Sequence, residues 1–88
     1  MKTLESIEDT VRSVLRDVLG ISRDRADAFG PETGLFGELP ELDSMAVAGL
    51  LTELEDRLGI MIDDDEMDAD MLGTFGALVD FAGRKARK

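Results

Sequence analysis

Between two stretches with clear helical periodicity lie residues 20–42, which follow neither a helical nor an alternating apolar period. That break constrains the fold most. Before it, Leu4, Ile7, Val11, Val14, Leu15, Val18 and Leu19 recur at helical spacing, which predicts an amphipathic helix over 3–19. Thr3 is placed to cap its start and Gly20 to end it. After it, Val47, Leu50, Leu51, Leu54 and Leu58 follow the i, i+3, i+4, i+7 rule and predict a helix over 43–58, stopped by Gly59. Gly30-Pro31, Gly34, Gly37 and Pro40 punctuate the segment between them. In a chain of 88 residues so long a connection needs anchoring. Ile21, Phe29, Leu35, Phe36, Leu39 and Leu42 are its apolar anchors, expected to pack onto the helices, with a turn of helix near Asp24–Ala28.

Beyond Gly59, Ile60-Met61-Ile62 reads as a short extended link and the acidic run from Asp63 as leading into a short helix over 65–71. Thr74 is placed to cap a last helix over 74–84, whose apolar residues are Phe75, Leu78, Val79, Phe81 and Ala82. The expected fold class is all-α: a small three-to-four-helix bundle with a long first loop, one domain over 1–88.

The chain has no Cys and no His. Disulfides, thiol nucleophiles, zinc sites built on those ligands and imidazole acid–base chemistry are therefore excluded. A net charge of −10 argues against binding a nucleic-acid backbone and suits basic partner surfaces. From Glu38 to Asp80 the only base among 13 acids is Arg57. The closing Arg84-Lys85-Ala86-Arg87-Lys88 suits the dipole at a helix end rather than a membrane or nucleic-acid patch. No apolar run approaches membrane-spanning length, and the first residues lack a secretory pattern, so the expectation is a cytoplasmic monomer.

Ser44 is the residue of greatest chemical interest. Turning about 100° per residue from Val47 puts Leu50, Leu51, Leu54 and Leu58 on one buried face of the second helix, with Ser44 at its edge and at the helix start. Asp43 and Ser44 are both common helix caps, which is the plain alternative to a functional role. What favours a role is the rest of the wheel. Met45, Ala48, Gly49, Thr52 and Asp56 are placed away from the core, where long charged side chains are the norm. Gly49 gives up about 1 kcal/mol of helix propensity relative to Ala. A smooth face beside a serine, with Glu53, Glu55 and Asp56 farther along, reads as a docking surface. The unpaired amides of a helix start also tolerate an attached phosphate ester.

At Glu41-Leu42-Asp43-Ser44-Met45 the chain resembles the acyl carrier protein family, which carries Asp-Ser followed by a large apolar residue at the start of its second helix. The resemblance extends over the first helix, the long loop, Leu50-Leu51-Thr52-Glu53-Leu54-Glu55-Asp56, Gly59-Ile60-Met61-Ile62-Asp63-Asp64 and the last helices. It implies an acyl-carrier-like bundle that is not an enzyme. It also implies a 4′-phosphopantetheine arm, derived from coenzyme A, attached to Ser44 by a Mg-dependent phosphopantetheinyl transferase (holo-carrier synthase). The arm's thiol would hold acyl thioesters for acyl-loading and acyl-transferring enzymes with basic docking surfaces. By the same resemblance Asp43, Met45, Ala48, Thr52, Glu55 and Asp56 are recognition positions, with Glu53 adding charge beside them. Fatty-acid carriers usually have acids two and five residues after the serine; here those are Ala46 and Gly49, which argues against a housekeeping role in fatty-acid synthesis. The stretch from Leu35 to Val47, with Asp63-Asp64-Asp65-Glu66, is similar to stand-alone carriers of exosortase and exopolysaccharide systems. Met61, Met67 and Met71 are candidates for an adaptable cargo pocket, or for ordinary core filling.

Other functions fit less well. An EF-hand starting at Asp63 or Asp64 lacks Gly at its sixth position and Glu at its twelfth, so no specific metal site is expected. Catalysis at Ser44 lacks a His base, and there is no Walker-type phosphate loop. The serious alternative is an unmodified acidic helical protein-interaction module.

Overall fold

The computed structural model describes residues 4–66 and 70–86. Four α-helices follow one another: α1, Leu4–Leu19; α2, Arg23–Asp27; α3, Ser44–Leu58; and α4, Phe75–Ala86. Helix α1 packs chiefly on α3 and also against α4 and α2. The core forms where their apolar stripes meet, with Val11, Val14, Leu15, Leu50, Leu54 and Leu78 all 0% exposed. Burial of such stripes, worth roughly 25 cal/mol per Å² of apolar surface, is what turns these periodic sequences into a bundle. Helix α3 stops at Gly59, whose φ of 65° is the left-handed conformation that glycine adopts without a Cβ penalty and whose N–H donates to Glu55 O.

Of the expected short helix over 65–71, residues 67–69 lie outside the described residues. Asp64–Glu66 make one 3-10 turn, and residues 70–73 are turns. Glu66 ties the turn in place: it accepts from the Asp63 N–H at 3.0 Å and from Lys85 Nζ on α4 at 2.8 Å. Thr3 and Met67 lie outside the described residues.

The long first connection is anchored by three devices. Ile21, Ala26, Phe29, Leu35 and Leu42 are buried in the core, whereas Phe36, expected to join them, is 45% exposed. Backbone bonds stitch the segment to the start of α4. Leu35 N–H donates to Gly73 O, Phe36 N–H to Leu72 O and Phe75 N–H to Thr33 O, each at 2.9 Å, around an antiparallel bridge between Gly34 and Thr74. Gly76 N–H adds a bond to Pro31 O, and a Cβ at Gly76 would stand 2.7 Å from that same oxygen, so the close approach requires glycine. Last, Arg12 of α1 reaches Ala26 O at 2.6 Å and Phe29 O at 3.0 Å, while its guanidinium lies 4.7 Å from the centre of the Phe75 ring. Charged hydrogen bonds and a cation–π contact there join α1, the loop and α4 at one half-buried point.

Candidate functional site

The start of α3 is built by a division of labour between two adjacent residues. Asp43 is the N-cap: its backbone is extended, its Oδ1 accepts from the Ala46 N–H at 2.9 Å, and its carbonyl accepts from Val47 N–H. Ser44 is the first helical residue, exposed, and its hydroxyl has no hydrogen-bond partner among the described residues. The sequence left open which of the two caps the helix. Since Asp43 does so, the Ser44 Oγ is free for chemistry. The N–H groups of Ser44 and Met45 also lack acceptors among the described residues, so two unpaired amides lie beside that oxygen. This arrangement suits a phosphodiester at Ser44.

The segment before the serine is held by an ion pair. Arg25 on α2 donates through both guanidinium nitrogens to Glu41, one of the two bonds measuring 3.0 Å. That hydrogen bonding holds the Glu41 carboxyl below the usual carboxylate range.

Around α3 the residues sort into stripes. Met45 (85% exposed), Ala48, Thr52 and Asp56 run down the open face from Ser44. The Thr52 hydroxyl donates to Ala48 O at 3.0 Å, leaving Met45 and Asp56 as the apolar and acidic features of that stripe. Gly49 does not belong there, contrary to its placement on the wheel. It is half-buried, and a Cβ on it would meet Val18 Cγ1 of α1 at 3.6 Å. Glu53 and Arg57 continue the stripe of Gly49 at four-residue steps. Arg57 joins Glu53 at 3.1 Å and Asp17 of α1 at 2.8 Å, so this side is covered by the end of α1. Asp17 is held below the usual range, chiefly by its hydrogen bond from Arg57. On the opposite flank Glu55 accepts from the Ile62 N–H at 2.8 Å and fixes the extended link that follows the helix. Ala46, like Gly49, is half-buried and packs against the core. Two of the acids expected to face a partner, Glu53 and Glu55, thus have intramolecular partners. Asp43 and Asp56 are exposed.

The two candidate methionines among the described residues lie in different surroundings. Met71 is buried in the core, while Met61 is 78% exposed and faces solvent. A groove missed in the sequence opens beside the serine, lined by residues from Phe36 to Ser44. Its one sequence signal was an apolar Phe-Gly step within a polar, Gly- and Pro-punctuated loop. Among the described residues no group of three or more acids is placed to hold a metal ion. No helix among them is long and apolar enough to cross a membrane.

A family model described as the phosphopantetheine attachment site matches residues 9–82, from within α1 to within α4. The chain belongs to the acyl carrier protein family. Its fold is similar to the solution NMR structure of a holo acyl carrier protein from Nitrosomonas europaea. The sequences are 38% identical, the match covers 93% of this chain and 96% of that one, and the TM-score is 0.82. Acyl carrier proteins are carriers rather than enzymes and act by meeting enzymes, and the prosthetic group of the family is a covalently attached phosphopantetheine.

Proposed function

We propose that Ser44 is the attachment residue and that the chain carries acyl groups as thioesters, presenting them to partner enzymes along the open face of α3. The observation that carries this reading is the free Ser44 hydroxyl at the first residue of α3, beside an Asp43 that already caps the helix. When bound, phosphopantetheine supplies the thiol that a chain without Cys lacks. In its attachment, Ser44 Oγ forms the phosphodiester as the bond to the adenosine bisphosphate of coenzyme A breaks. The chain has no His to take the hydroxyl proton, so the base belongs to a phosphopantetheinyl transferase acting with Mg²⁺.

The chain's own residues position and recognise. Asp43 fixes the helix start and places a carboxylate next to the modified oxygen. Met45 offers an apolar anchor for a partner pocket, with Ala48 and Thr52 keeping the face low enough for close approach. Asp43 and Asp56 at its two ends attract basic residues of acyl-loading and acyl-transferring enzymes, an attraction that speeds encounter and weakens with salt. The high net charge, with the apolar stripes of α1 and α3 turned inward, supports a monomer working as one domain.

The test is intact mass after incubation with coenzyme A, Mg²⁺ and a broad-specificity phosphopantetheinyl transferase. One phosphopantetheinyl addition to the wild type and none to Ser44→Ala is the expected result. A folded wild type that several transferases leave unmodified would overturn the assignment in favour of an unmodified interaction module.

A further inference from the structure

We propose that the groove beside the serine is the resting berth of the phosphopantetheine arm. This deepens the reading of Ser44 as the attachment residue and rests on it. The groove is lined by Phe36, Glu38, Leu39, Pro40, Asp43 and Ser44, among others, so its occupant and its tether share a wall. A group attached at Ser44 meets that surface at the millimolar effective concentration of a short flexible link, which makes even weak affinity sufficient.

The chemistry of the walls matches the arm. Phe36 is 45% exposed although the preceding residue, Leu35, is 0% exposed. With half-buried Leu39 and exposed Pro40 it presents an apolar surface that the geminal methyls and methylenes of pantetheine would remove from water. Glu38 and Asp43 line the same groove, and carboxylate oxygens accept from amide N–H groups such as the two of the arm.

The groove is also formed in advance. Phe36 N–H is bonded to Leu72 O at 2.9 Å and Leu39 N–H to Leu35 O at 2.8 Å, and Leu42 N–H to Leu39 O closes the next turn at 3.0 Å. The Arg25–Glu41 ion pair fixes the chain between that turn and the serine. Walls held by their own hydrogen bonds lose little entropy on receiving the arm. The groove is shallow and open, so the arm leaves it as soon as a partner offers a deeper site.

The experiment begins with mass spectrometry of wild type, Phe36→Ala and Phe36→Leu after transferase treatment, each checked for fold by circular dichroism. Isotope-filtered NOEs are then recorded between the unlabelled arm and ¹³C,¹⁵N-labelled protein. The expected result is contact between the geminal methyls and both the Phe36 ring and the Leu39 methyls, with amide shifts through residues 36–42. Those contacts are lost in Phe36→Ala and kept at Leu39 in Phe36→Leu, while all three proteins gain the arm's mass. Methyl contacts with Met61 or Ile62 instead, or a modified protein whose arm contacts nothing beyond Ser44 and Met45, would overturn the berth and leave the attachment intact. A wild type that gains no mass would overturn the attachment itself.

Discussion

Two stripes of α3 begin within one turn of each other and have opposite fates. Met45, Ala48, Thr52 and Asp56 stay open to solvent. Gly49 lies beside Val18 of α1, and Arg57 links Glu53 to Asp17 of α1 at the surface. Both stripes carry a small residue near the serine and an acid farther along, so composition does not separate them. What separates them is the neighbour. On the covered stripe the small residue makes room for a helix and the acid has a fixed cation. On the open stripe the small residues face nothing in the fold and the acid is free to attract a cation on another protein. The acids of α3 therefore divide by geometry into Glu53 and Glu55, which have partners within the fold, and Asp56, which is exposed, so the charge left open is smaller than the sequence count implies.

The largest expected effect lies on the open stripe and concerns binding rather than stability. Met45→Ala removes the exposed apolar anchor and should reduce kcat/KM for transferase modification about tenfold, the loss of roughly 1.4 kcal/mol typical of an interface anchor. Its thermal midpoint should stay within error of wild type, since the side chain is 85% exposed. A loss of stability with unchanged modification kinetics would place Met45 in the fold rather than on the docking face.

Glu55 is expected to behave in the reverse way. Glu55→Ala removes the acceptor of the half-buried Ile62 N–H and should destabilise by about 1 kcal/mol. Glu55→Gln retains an accepting oxygen, so it should restore stability while leaving modification rates near wild type in both variants. A tenfold slower modification of Glu55→Gln would move this acid back among the docking groups. Next comes Gly49→Ala. Its Cβ would meet Val18 at an ordinary contact distance of 3.6 Å, and the gain in helix propensity is about 0.8–1 kcal/mol. Urea denaturation should show a stabilised protein that is modified at the wild-type rate. A slower rate would show that the smoothness of Gly49 serves a partner after all.

These stripes also show where sequence reasoning runs out. The inward face of α3 was legible because its neighbours are its own apolar residues at helical spacing, and Val47, Leu50, Leu51, Leu54 and Leu58 are all buried. The place of Ser44 at the start of α3 was legible from the same spacing. The flanks were not, because which helix passes alongside Gly49 depends on the crossing of α1 and α3, a long-range property without a local signature. The same holds for Phe36, whose apolar character predicted burial. Hydrogen bonds from its own backbone to Leu72 and from Leu35 to Gly73 set the loop's register, and that register buries Leu35 and turns Phe36 outward. Ser22 at the start of α2 was a missed cap of the ordinary kind, its Oγ accepting from the Arg25 N–H at 3.1 Å.

The smallest expected effect tests the covered stripe through pH. The carboxyl of Asp17 is held below the ordinary carboxylate range, first by its hydrogen bond from Arg57 and then by the charge of that guanidinium. A folded-state value below the unfolded one means that deprotonated Asp17 favours the folded chain. Its contribution is therefore complete above the unfolded value, near pH 4, and is lost as pH falls through the depressed folded value. Both partners lie at the surface, so the contribution is small and shrinks with salt. Carboxyl-detected NMR should find Asp17 titrating below an ordinary aspartate, and Arg57→Gln should move it back upward. An Asp17 that stays put in that variant would mean that Arg57 is no clasp between α1 and α3, and the two stripes would then differ in packing alone.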